Sequence, residues 1–291
     1  MKNLILKSLL LILSVWLNHN FVYAQSYKII YEMTWKPSKN SAVYRKELMA
    51  LITNEKEPSY FESYNKFRYD SLKTKLVNDY VENGGKSLRF PNESNDSKYR
   101  TFIIKNLQNN IIQEENKFYT TIFLSEYKLQ FRWKIDNTQS QNILGYKTYR
   151  ATTSFGGRNW TAWYTTDIHI LDGPYKFYGL PGLILKISND SGDFDFEVKG
   201  ITKEKNDISQ RRFSYKKAVE LTPRQWCEFW DKYKKQPSII LENLNTSQTT
   251  YVINGKDINS REVKDEYNKK EWEMINFFEN PIELTPICKQ K

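Results

Sequence analysis

Cysteine and histidine are nearly absent, with two of each in 291 residues. Two cysteines exclude a disulfide-knit mini-protein and a zinc site built on four thiolates, and two histidines leave too little for a histidine-rich metal centre. No cofactor or metal site is read from the chain. The usual catalytic signatures are missing too: H-E-x-x-H, G-x-S-x-G, G-x-x-x-x-G-K-[ST] and G-x-G-x-x-G do not occur. Beyond the first residues there is no apolar run of the roughly 20 residues that a spanning helix needs, so no transmembrane segment is expected. No block of five or more like charges appears either.

What is present is 39% hydrophobic and 15% aromatic residues, enough to fill a globular core. The formal charge is +10, but it comes from 33 Lys against 11 Arg, beside 26 Asn. This looks like the bias of an AT-rich coding sequence. A solvated surface is expected, not a nucleic-acid partner.

The chain opens with Lys2 and Lys7 around an apolar run from Leu4 to Trp16, followed by Asn18, His19 and Asn20 and then Val22-Tyr23-Ala24. These are the charged, apolar and small-residue parts of a signal peptide, with cleavage near Ala24. Residues 25–291 are then expected as a single exported domain, periplasmic or secreted and not membrane-spanning. Cys227 and Cys288 would meet an oxidising compartment, where a disulfide is permitted. A crosslink of that span is worth about 4 kcal/mol in the chain-entropy picture. Two buried free thiols are the alternative.

Strand patterns dominate to about residue 200. Tyr27, Ile29, Tyr31, Met33 and Trp35 alternate with more polar neighbours, and Glu47–Thr53, Arg100–Asn106, Asn110–Glu114, Lys117–Leu124 and Tyr127–Ile135 follow as short candidates for antiparallel meanders. A weak helical period runs over Tyr60–Lys75, and Asn83–Ser97 reads as a loop. Gly156-Gly157 joins Lys147–Phe155 to Arg158–Thr166, the two-residue connection that accepts a type I′ turn. Asn189-Asp190-Ser191-Gly192 joins Leu183–Ser188 to Asp193–Lys199. That loop pairs Ile187 with Phe194, Leu185 with Phe196 and Leu183 with Val198 on one face, with Lys186 opposite Asp195.

The last third turns helical. Thr222 reads as an N-cap with Pro223 at the first helical position, and Trp226, Phe229, Trp230 and Tyr233 form an aromatic stripe at i, i+3, i+4 and i+7. Ser260–Phe278 is a second helix, ended by Asn280-Pro281. The fold class is therefore α+β, mainly antiparallel β, with a curved sheet or open barrel and C-terminal helices.

Candidate chemistry is sparse. His169 alternates between Ile168 and Ile170 like an ordinary strand-end residue. Asp193, Asp195 and Glu197 fall on one face of a strand about 7 Å apart, which would suit a carboxylate pair but equally a half-buried strand facing Lys186. The most unusual stretch is Trp160–Ile184, with Trp163-Tyr164, then Asp172-Gly173-Pro174-Tyr175-Lys176-Phe177, then Gly179-Leu180-Pro181-Gly182. Two glycines around Leu-Pro make a stiff corner, either a connection into the next strand or a place where a ligand approaches backbone.

The hexapeptide Gly179–Ile184, with Trp133-Lys134-Ile135, Gly145-Tyr146, Phe155–Arg158, Ala162–Thr165, Gly173–Phe177 and Asn280–Leu284 around it, resembles the GLPGLI family. Tyr31–Trp35 is similar to that family's opening strand. His169 departs from the pattern, which more often has proline there. The resemblance implies export by Gram-negative Bacteroidetes, genes near outer-membrane receptor components, and no established activity, so no catalytic residues carry over. The function expected is a binding module for an apolar or peptide-like ligand, or for an outer-membrane receptor or envelope complex. Trp160, Trp163, Tyr164, Gly179, Leu180, Pro181 and Gly182 are its candidate contacts. The rival is a carboxylate-dependent hydrolase of glycans or peptides using Asp172, Asp193 or Asp195; a purely structural envelope protein is the third reading.

Overall fold

The computed structural model describes residues 26–53, 58–85, 97–204, 217–242, 251–253, 256–258 and 260–289. The expected signal peptide lies outside them.

Twelve strands form one open sheet. They are β1 (Ser26–Trp35), β2 (Arg45–Thr53), β3 (Ser59–Ser63), β4 (Phe102–Asn106), β5 (Ile111–Phe118), β6 (Thr121–Lys128), β7 (Lys134–Ile143), β8 (Tyr146–Phe155), β9 (Arg158–Thr165), β10 (Leu183–Asn189), β11 (Phe194–Glu204) and β12 (Val219–Leu221). Their order is β12-β6-β5-β4-β3-β2-β1-β11-β10-β9-β8-β7, antiparallel except for β12 against β6. A separate hairpin pairs β13 (Tyr251–Ile253) with β14 (Lys256–Ile258). The helices are α1 (Tyr64–Glu82), α2 (Pro223–Lys235) and α3 (Ser260–Asn276). The α+β class with a mainly antiparallel, unclosed sheet and helices late in the chain is as the sequence predicts.

Why the sheet curls is legible from its contacts. Neighbouring strands lie about 4.8 Å apart, so in a flat sheet β4 and β9, six spacings apart, would sit about 29 Å from one another. Yet Lys105 on β4 reaches Asp172, while Trp160 on β9 packs on Phe177, 4.8 Å between rings. Both partners belong to residues 166–182, which leave β9, cross the concave face and return to start β10. Among the described residues no second sheet covers that face. This irregular segment is the filling, and Ile168, Ile170, Tyr175, Phe177, Tyr178 and Leu180 on it join Ile29, Tyr31, Met33, Phe61, Trp160 and Phe196 in one buried core.

A second, smaller core lies outside. The α2 stripe of Trp226, Phe229, Trp230 and Tyr233 packs on Phe118 and Phe123 from the β5–β6 hairpin. Thr222 caps α2, and Gln225 returns the bond to complete a capping box. Cys227 on α2 is joined by a disulfide to Cys288. Between α3 and that bridge, the tail crosses one end of the sheet: Phe278 stacks on Trp35 at 5.5 Å, the Asn280 N–H donates to Pro37 O, and the Thr285 N–H donates to Gly156 O.

Several expectations are corrected. The Asn110–Glu114 and Lys117–Leu124 candidates break too early: the turn is at Tyr119 and Thr120, with Phe118 paired to Thr121. Tyr127–Ile135 is not one strand. β6 ends at Lys128 and residues 130–133 leave the ladder, because their apolar side chains answer to the filling segment: the Trp133 indole donates to Tyr178 O, and Phe131 packs on Phe177 and Tyr178. The helix expected from Tyr60 begins at Tyr64, since Tyr60 pairs with Ile52 and Ile104 in β3. The C-terminal helix stops at Asn276, two residues before Phe278. The β10–β11 loop slips by one residue to Asp190–Asp193, giving Ile187↔Phe196 and Lys186↔Glu197, because Asn189 stays in the strand and its side-chain carbonyl takes the Phe194 N–H. A bulge between Ile184 and Lys186 breaks the period of two against β9.

Candidate functional site

The filling segment is held by charge as much as by apolar packing. Lys105 pairs with Asp172 where both side chains are fully buried. Lys176 bridges Glu114 (2.6 Å) and Glu283, Tyr127 donates to Glu114, and Tyr175 donates to Glu283 at 2.6 Å. Burial, reinforced by the two carboxylates, pushes the Tyr127 and Tyr175 phenols well above their usual range. Burial opposes the Lys176 charge, but Glu114 and Glu283 outweigh it and raise the amine. Arg158 anchors the tail instead. It donates to Asp193 (2.7 Å), to Asn280 (2.6 Å) and to the carbonyls of Pro281 and Ile282, so it ties the β10–β11 turn to the tail. Burial works against the Asp193 charge, yet the bonds from Arg158, Ser191 and Asn280 hold this carboxyl below the usual range.

Backbone geometry sets the corner. Gly182 has φ +147, and a Cβ there would overlap the Thr165 carbonyl oxygen, so only glycine lets the returning chain lie against β9. Gly156 and Gly157 have φ +61 and +78, as the tight turn requires, and a Cβ on either would come within 2.9 Å of Glu283 or Thr285 in the tail. Tyr175 holds φ +55 although it is a bulky residue, fixed there by its bond to Glu283 and the Phe177 N–H to Pro174 O bond.

The candidate ligand contacts do not form one wall. Trp160 and Leu180 are fully buried, and the Trp160 indole donates to Phe155 O. Tyr164 is buried at 2% exposure against Tyr149, and Gly182 is buried against Thr165. Gly179 and Pro181 are exposed. Trp163 is half-buried between Arg150 and Lys186, its neighbours on β8 and β10. Of the hydrolase candidates, Asp172 is sealed in the core. Asp195 shares Lys186 with Glu197, at 3.6 and 2.5 Å, and Asp193 lies in the turn, not on a common strand face with them. His169 is exposed.

A cleft of about 450 Å³ opens at the turn end of the sheet, lined by Lys39, Gly157, Arg158, Asn159, Asn189, Asp190, Ser191, Asp193 and Leu284. It touches none of the candidate ligand contacts. Asn189 and Ser191 are spent on the turn, through Asn189 Nδ2 to Ser191 Oγ and Ser191 Oγ to Asp193. Lys39, Asn159 and Asp190 are exposed in its wall. Among the described residues no cluster of three or more His, Cys, Asp or Glu is arranged to hold a metal, and no helix is long and apolar enough to cross a membrane.

The anchors Lys105 and Arg158 were missed from sequence, although each carries a signal. Lys105 stands two residues after Ile103 and Arg158 two before Trp160, so each is a charge on the core-facing phase of its strand. The pairing of Lys176 with Glu114 and Glu283 has no such signal.

A family model described as a protein of unknown function (Porph_ging) matches residues 157–186, which are β9, the filling segment and the start of β10. A search of curated proteins finds no match. Among solved structures, the chain is similar to PNGF-II in a C2 crystal form, with TM-score 0.50 and 19% identity over 72% of this chain and 34% of that one. It is also similar to PNGF-II in a P21 form, with TM-score 0.49 and 20% identity over the same shares. The chain thus spans about a third of the length of PNGF-II, and the likeness is one of fold.

Proposed function

We propose that residues 25–291 are an exported, single-domain envelope protein of the GLPGLI type, periplasmic or secreted after cleavage near Ala24, which works as a binding module for a peptide-like ligand. The observation that carries this reading is the contrast between closed and open polar groups. Lys105 and Lys176 are turned onto carboxylates in the interior, and Arg158 is spent on Asp193 in the cleft wall, whereas Lys39, Asn159 and Asp190 are exposed in that cleft. A peptide offers both N–H donors for Asp190 and carbonyls for Lys39 and the Asn159 amide. Leu284 is the one apolar side chain in that wall. Hydrolysis fits less well: Asp193 is held ionised by Arg158 and cannot serve as a general acid near neutral pH. A peptide presented by an outer-membrane receptor or another envelope complex is the partner this chemistry suits.

Calorimetry with a random peptide library and purified envelope fractions tests the reading. Expected is saturable binding that Asp190→Asn and Lys39→Met each weaken about tenfold or more, with unchanged circular dichroism. Turnover of a peptide or glycan panel that disappears in Asp193→Asn would support the hydrolase instead. Absence of both binding and turnover would leave the structural reading.

A further inference from the structure

Lysine is almost never fully buried without a partner, and Lys105 has one partner side chain, Asp172, in a site from which both are completely hidden. Around the pair, Lys105 Nζ also donates to Gly173 O at 2.6 Å, and the Gly173 N–H donates to Asp172 Oδ1 at 2.7 Å. Asp172 Oδ2 is buried with no hydrogen-bond partner. Neither backbone can drift: β4 is laddered between β3 and β5, and Asp172 accepts the Ile184 N–H at 2.9 Å and bridges to Tyr178.

We propose that Lys105 and Asp172 condense to an intramolecular amide, an isopeptide bond between β4 and the filling segment. In the proposed step the ammonium first gives up one proton, which comes to rest on the unpartnered Oδ2 of Asp172. Burial lowers the Lys105 amine despite the adjacent Asp172 charge, which is the direction that activates a lysine nucleophile. Nζ then attacks Cγ, and the oxyanion on Oδ1 is held by the Gly173 N–H already bonded to it. The Cγ–Oδ2 bond breaks, and Oδ2 leaves as water with the two protons that the amine gives up. In sum, one ammonium and one carboxylate become one amide and one water, with no oxidant or co-reactant. Lys176 is the contrasting case, because two carboxylates and two tyrosines around it hold its amine as ammonium.

The test is the intact mass of the purified, unmutated chain after denaturation and reduction of the disulfide, followed by tandem fragmentation. Expected is a mass one water below that of the sequence and a branched peptide joining residues 105 and 172, with the full mass restored in Lys105→Arg. A full mass in the unmutated chain overturns the proposal, and so does a water loss that maps to another pair or persists in Lys105→Arg. The outcome is independent of whether the cleft binds peptides.

Discussion

On the concave face the side chains of Lys105, Lys176 and Arg158 are 0%, 2% and 4% exposed, whereas on the convex face Lys46, Lys186 and Lys199 are 62%, 30% and 41% exposed. Both sets are paired with carboxylates at hydrogen-bond distance. The convex pairs follow the strands as a ladder, Lys186 with Glu197, Lys199 with Glu197, and Lys46 with Glu32. Water and salt screen them, so each contributes little to stability. At Lys105 and Lys176 neither ion can recover its hydration, and removing one partner of a buried pair strands the other at about 3–5 kcal/mol. Ion pairs of hydrogen-bond length therefore carry different energy on the two faces. What decides it is the covering of one face by the segment 166–182 together with the tail, which holds Arg158 and reaches Lys176 through Glu283, while the other face is left wet.

Breaking the dry face at its backbone should have the largest effect. Gly182→Ala places a methyl group against the Thr165 carbonyl, where no side chain can give way. The expected result is loss of soluble folded protein, seen in yield and far-UV circular dichroism. Next comes Arg158→Met, which strands Asp193 and releases the tail from Asn280, Pro281 and Ile282. Urea unfolding should show a loss of about 3–5 kcal/mol. Removing the bridge with Cys227→Ser and Cys288→Ser should cost up to about 4 kcal/mol by the loop-entropy argument, with the sheet core retained, because the disulfide staples the outer aromatic cluster and not the filling segment.

Acid sharpens the same contrast. The Asp193 carboxyl is held low in the folded chain, so the stability it contributes is complete above the ordinary carboxylate pKa of about 4 and is lost as pH falls through its lower folded value. Unfolding free energy should fall below about pH 4 in the unmutated chain, and Arg158→Met should flatten that limb. The smallest effect is expected on the wet face, where Lys186→Met should change stability by less than about 1 kcal/mol despite its contacts with both Asp195 and Glu197.

How much of this was legible depends on which face a residue serves. β1, the β8–β9 hairpin and the α2 stripe were readable because period, glycine pair and cap agree locally. β7 was not, since Lys134–Ile143 is a polar, exposed edge strand with no apolar alternation to announce it. The corner is legible as a stiff connection into the next strand, but the backbone it packs against is not. Gly-Leu-Pro-Gly reads alike whether a ligand or the Thr165 backbone comes close, and only the fold places Thr165 there. Core-phase charges at Lys105 and Arg158 were available to a stricter reading, while Glu114 and Glu283 meet Lys176 only through the tertiary path of the tail.

The central claim is that residues 166–182, irregular in secondary structure, are the core of the curled sheet. Native-state amide exchange measures this directly. The N–H groups of Phe177, Gly179 and Ile184 are bonded to Pro174, Leu171 and Asp172 carbonyls, and they should exchange only through global unfolding, with the same free energy as β1 and β11. Exchange of these amides as fast as that of the exposed edge strand β7 would contradict the account.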